Sequence, residues 1–172
     1  MTEVVLEFTD PAGDPLRIEW RAEALAALSG PQPDSEPAWT LSGSLDWDEL
    51  EGVRIISARL GAEKLLAIGA LRPRGAGGHG DEIIAGVLGD PLEFDRLDEP
   101  LVSTEYGPDG DVRRLGLELY TGPDSMPIRV AGDVIATGSD SHGTVRRETA
   151  AFELRSGGDE GIAILDVLTP ET

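Results

Sequence analysis

The sequence has no cysteine and, in 172 residues, a single lysine, Lys64. Without thiols, neither a disulfide nor a thiolate zinc site can form. A chain of this length folds without such staples, because it can bury roughly 70% of its unfolded surface. One antiparallel β domain spanning residues 1–172 is the expected organisation. Long apolar runs are also missing. None approaches the ~20 residues that cross a bilayer as a helix, so membrane insertion is not expected. The first residues, MTEVVLEFTDP, lack a basic stretch followed by an apolar one, so no secretory signal is read and a cytoplasmic location is expected.

Positive charge is scarce as well. Fourteen Lys and Arg face 33 Asp and Glu, for a formal net charge of −19. Nucleic-acid binding draws on cationic contacts to phosphates, so no nucleic-acid partner is expected. Adsorption to anionic lipid is disfavoured by the same repulsion. The acidity reads as a solubility feature.

What the sequence has in abundance is alternation punctuated by turns. In a strand, successive side chains point to opposite faces, so a half-buried strand alternates apolar and polar residues. Val4, Leu6 and Phe8 share one face, and Leu16, Ile18 and Trp20 share another, across the turn cluster Asp10-Pro11-Ala12-Gly13-Asp14. Residues 21–28, RAEALAAL, are the one strong helix-forming window, and 29–37, with its prolines, reads as a loop. Strand-like runs follow at 38–45, 52–60, 64–72, 81–88, 112–120 and 126–136, with one more at the end of 91–106. The rhythm predicts an all-β fold. The expected form is an antiparallel β-barrel or sandwich, lipocalin-like, of about ten strands with at most one short helix.

The C-terminal stretch 144–168 is the clearest hairpin. Arg146, Glu148, Ala150, Phe152 and Leu154 fall on one face, which turns apolar toward its end and is read as inward. A glycine-rich turn at 156–161 follows, then Ile162 to Leu168, whose nearly continuous apolar character fits a strand covered on both faces. Asp166 is the one charge inside that run. If Phe152 and Leu154 point inward, Arg146 and Glu148 do too. With Asp166 they would then form an ion-pair network or line a polar lumen, since buried charge is costly unless paired. The plainer alternative puts Arg146 and Glu148 at an exposed strand start and Asp166 on an edge strand. Trp20 and Trp39 read as core aromatics or as pocket walls. These five residues are the candidate ligand contacts.

Other motifs are weaker. His79 and His142 both fall in loop-like stretches, without the paired spacing of metal ligands. GAGGHG lacks the spacing of a phosphate loop, and DPAGD, GPDGD and GSDSHG lack that of a calcium loop. No metal and no cofactor is expected.

The stretch VRRETAAFELRSGGDEGIAILDVL resembles the closing strands of AttH-like, lipocalin-like proteins related to carotenoid hydratases. Arg146 or Arg147, Phe152, Gly161 and Asp166 are the matching positions. The resemblance implies a β-barrel with an internal pocket. It carries over no catalytic residue, because the Arg-Asp-His signature of that group is absent. The expected function is non-catalytic binding of a small, mostly apolar ligand. One alternative is a hydratase, isomerase or cyclase acting on lipids or isoprenoids through Glu148 and Asp166. Another is a structural or protein-interaction subunit, for which a homo-oligomer is a natural form.

Overall fold

The structure, a computed structural model, describes residues 3–29, 36–75, 82–122, 124 and 126–171. Strands β1 (Glu3–Thr9), β2 (Pro15–Arg21) and β3 (Trp39–Gly43) form a small antiparallel sheet, with helix α1 (Ala22–Ala26) after β2. The larger sheet begins with β4 (Leu50–Leu60), β5 (Lys64–Pro73), β6 (Ile83–Gly89) and β7 (Phe94–Arg96). It continues with β8 (Leu101–Tyr106), β9 (Val112–Leu119), β10 (Ile128–His142), β11 (Val145–Ser156) and β12 (Asp159–Pro170). These nine strands pair in the order β7-β6-β5-β4-β12-β11-β10-β9-β8 and curl into a half-barrel. The fold is thus all-β with one short helix, as the alternation predicts. Among the described residues, no helix is long and apolar enough to cross a membrane.

Two cores follow from the two faces of the large sheet. The concave face gathers Ile56, Ile68, Leu115, Leu117, Phe152 and Leu165. The convex face of β4, β5, β6 and β12 is covered by the small sheet, whose Val4, Leu6, Phe8, Leu16, Ile18 and Trp20 are all buried against it. Each such side chain removed from water contributes about 1.5–3 kcal/mol. The two sheets approach closely at Gly69 of β5. A Cβ there would lie 2.9 Å from Phe8 Cζ and 3.0 Å from Ile18 Cδ1, so the missing side chain makes room for the Phe8 ring.

Among the described residues, the outer face of β8–β10 has no such cover and is charged instead. Arg129 pairs with Glu118, and Arg155 of β11 with Asp133, the arginines well exposed and the carboxylates partly so. Such pairs contribute about 0–1 kcal/mol each.

Several expectations shift. The described residues hold twelve strands. The segment 91–106 carries two of them, not one, because the chain makes a three-residue β7 on β6 before crossing over. Residues 138–142, read as a loop-like stretch, are the end of β10, paired with Val145–Thr149 of β11. The C-terminal hairpin turns on Gly157-Gly158 alone, with Ser156 opposite Asp159, and Gly157 sits at φ +59°, which glycine adopts freely. β12 is no edge: β11 and β4 flank it. His79 and residues 76–81 lie outside the described residues.

Candidate functional site

The candidate residues fall on opposite faces of the large sheet. Ala150, Phe152 and Leu154 of β11 enter the concave core, so that face of the hairpin is inward as read. Arg146 and Glu148 share it, but at the strand's start, where they are 46% and 60% exposed and bond each other at 3.2 Å. They border a small polar notch of about 280 Å³ together with Tyr106 and Ser139. Asp166 is on the other face, 1% exposed, beneath the small sheet. Arg146, Glu148 and Asp166 therefore form no common network. Glu148 and Asp166 cannot flank one substrate as an acid/base pair.

The partner of Asp166 is the neighbouring arginine. Alternation turns Arg147 and Thr149 toward the convex side, with Thr149 directly opposite Asp166 in the ladder. Thr149 Oγ1 donates to Asp166 Oδ1 at 2.6 Å, and Arg147 Nε lies 3.3 Å from the same oxygen. Asp166 Oδ2 accepts the indole N–H of Trp39 at 2.7 Å. Burial pushes the Asp166 carboxyl above the ordinary carboxylate range, against the lowering pull of Thr149, Trp39 and Arg147. Trp20 makes a parallel link, its indole N–H donating to Ser57 Oγ at 2.9 Å. Trp20 and Trp39 sit opposite each other in the small sheet. Both indoles thus tie the small sheet to the large one. Trp20 is fully buried, whereas the rim of Trp39 also borders a cleft.

That cleft, of about 480 Å³, is walled by Trp39, Leu41, Leu45, Val145 and Leu168, with Arg147 among its lining residues. At its edge His142 is 78% exposed, with Nε2 3.3 Å from Asp140 Oδ2.

A larger opening lies where the two ends of the curled sheet face each other. β7 pairs only with Val87–Gly89 of β6, and the Leu97–Pro100 link, with Glu99 at φ +45°, carries the chain across to β8. Ile83–Ala85 of β6 and all of β8 thus have no strand beyond them among the described residues. Between these edges is a cleft of about 880 Å³. Its apolar lining includes Ile84, Val102, Leu117 and Val130. Its polar end is the ion pair of Arg54 and Glu82, whose side chains are 16% and 4% exposed, with Arg54 Nε donating to Glu82 Oε2 at 3.1 Å. The sequence hinted at neither residue's role. Arg54 occupies an ordinary polar position in an alternating strand, and its partner comes from 28 residues away.

One acidic group has metal-like spacing among the described residues. Carboxylate oxygens of Asp10, Asp14 and Asp46 all lie within 4.8 Å of one another. Asp10 Oδ1 accepts the backbone N–H groups of Ala12 and Asp14, which is turn chemistry. Asp46 comes to them from the loop before β4.

The sequence matches none of the models of known protein families, and a search of curated proteins returns no match.

Proposed function

We propose that this protein binds a small, mostly apolar molecule, without converting it, in the cleft between the two ends of the half-barrel. What carries the reading is the composition of that cleft. Walls from Ile84, Val102, Leu117 and Val130 end at a largely buried ion pair, Arg54–Glu82, while a second, more exposed pair, Arg129–Glu118, stands at the rim. Ligand pockets commonly have this build, with apolar walls giving affinity and a few polar groups giving orientation. The likeness of 144–168 to lipocalin-like closing strands points the same way. A separate observation favours a second reading, a protein-interaction subunit: β8 is an edge strand bearing Leu101 and Tyr106, 51% and 61% exposed.

Titration of the full chain with 1-dodecanol, followed by amide NMR, tests the first reading. Shifts are expected to cluster at Ile84, Val102, Leu117 and Val130. Filling the cleft with Ile84→Trp is expected to weaken binding at least tenfold. Shifts scattered elsewhere, or unchanged affinity in a folded Ile84→Trp protein, would overturn it.

A further inference from the structure

The convex-side cleft beside Trp39 carries a second recognition element, independent of the seam between the sheet ends. Arg147 is 13% exposed, and among the described residues the hydrogen bond it donates leaves from Nε. Its Nε donates to Thr149 Oγ1 at 3.1 Å and lies 3.3 Å from Asp166 Oδ1 and 3.7 Å from Asp140 Oδ1. Among the described residues, Nη1 and Nη2 have no hydrogen-bond partner. A guanidinium held this way is fixed in orientation at its inner edge and keeps its outer donors. The cleft that Arg147 lines is otherwise largely apolar: Leu41, Leu45, Val145, Leu168 and the Trp39 rim.

We propose that this cleft is a binding site for a small carboxylic acid, its carboxylate held by Arg147 Nη1 and Nη2 and its apolar body lying against Leu41, Leu45 and Leu168. A planar guanidinium with two donors side by side matches the two oxygens of a carboxylate, and partial burial strengthens the pair. The apolar walls exclude inorganic anions as the best occupants, because those would leave the walls uncovered. Three acidic groups act against the ligand. Asp166 and Asp140 share the Arg147 charge, and Glu36 lines the rim. Their presence makes the sign of the ligand's charge testable. An anion gains when Asp140 is neutralised, and a cation loses.

The probe is octanoate, titrated into the full chain by calorimetry and amide NMR, with 1-octanol as the same chain lacking the carboxylate. Octanoate is expected to shift Leu41, Val145, Arg147 and Leu168, and to bind at least tenfold more tightly than octanol. Asp140→Asn is expected to tighten octanoate binding several-fold, and Arg147→Lys to weaken it at least tenfold. Leu45→Trp, which fills the cleft without touching the Asp166 network, keeps the test decisive if Arg147→Lys fails to fold, and is expected to block binding. Equal affinity for octanol, weaker binding in Asp140→Asn, or unaltered binding in Leu45→Trp would each overturn the proposal. Shifts confined to Ile84 and Val102 would do so too, since they would assign octanoate to the other cleft.

Discussion

The bond between Trp39 and Asp166 joins the small sheet to the middle of the large one, and a double-mutant cycle can weigh it. Trp39→Phe keeps an aromatic ring in the site but removes the N–H that donates to Asp166 Oδ2 at 2.7 Å. A hydrogen bond to a charged group contributes about 1.5–3 kcal/mol net. For a chain of this size, each 1 kcal/mol moves Tm by about 2–4 °C. Trp39→Phe is therefore expected to lower Tm by several degrees and to move the urea midpoint without changing its slope. Asp166→Asn removes the charge at constant shape. The double variant is expected to show a coupling of about 1–2 kcal/mol, within the range for residues in contact. Effects that simply add would refute the link.

The same variant isolates the pH dependence. Burial raises the Asp166 carboxyl above its ordinary value, with Thr149, Trp39 and Arg147 pulling the other way. Folding therefore favours the protonated acid. Its stabilising contribution is complete below the unfolded pKa of about 3.9 and is lost as pH rises through the higher folded value. Wild type should lose stability relative to Asp166→Asn as pH climbs from about 4, and the difference should then level off. A flat difference, or one of opposite slope, would contradict the assignment.

Gly69→Ala should destabilise by about 1–3 kcal/mol, because the new Cβ would meet Phe8 Cζ at 2.9 Å, and Phe8→Leu in the same chain should recover part of the loss in a urea melt. Arg54→Met, which strips Glu82 of its bidentate arginine, should cost about 3 kcal/mol, the low end for broken buried pairs because Arg54 retains some access to solvent. The double variant Arg54→Met, Glu82→Gln should regain stability over the single one when both are compared by urea midpoint.

Much of the fold was legible from periodicity. Val4, Leu6 and Phe8, and Leu16, Ile18 and Trp20, line one face of their strands as their spacing predicts, and the hairpin 145–170 pairs as its sequence suggests. The short β7 was not legible, since three residues hold too little pattern to read as a strand. The candidate site was legible in residue type and misread in geometry. Asp166 stood out as the charge in an apolar run, and it is buried and partnered. Of the two readings open for Arg146, the exposed strand start holds, and the arginine beside Asp166 is Arg147.

The reason lies in what alternation contains. It states which residues share a face, and that much is local and belongs to the chain alone. It does not state what covers each face. Both faces of β12 are apolar, one meeting the concave core and the other the small sheet, so its pattern is the same whichever way it turns. Only the docking of the small sheet, whose Trp39 lies 127 residues before Asp166, makes the Asp166 side an interior. That contact puts Arg147 under cover and leaves Arg146 to the solvent.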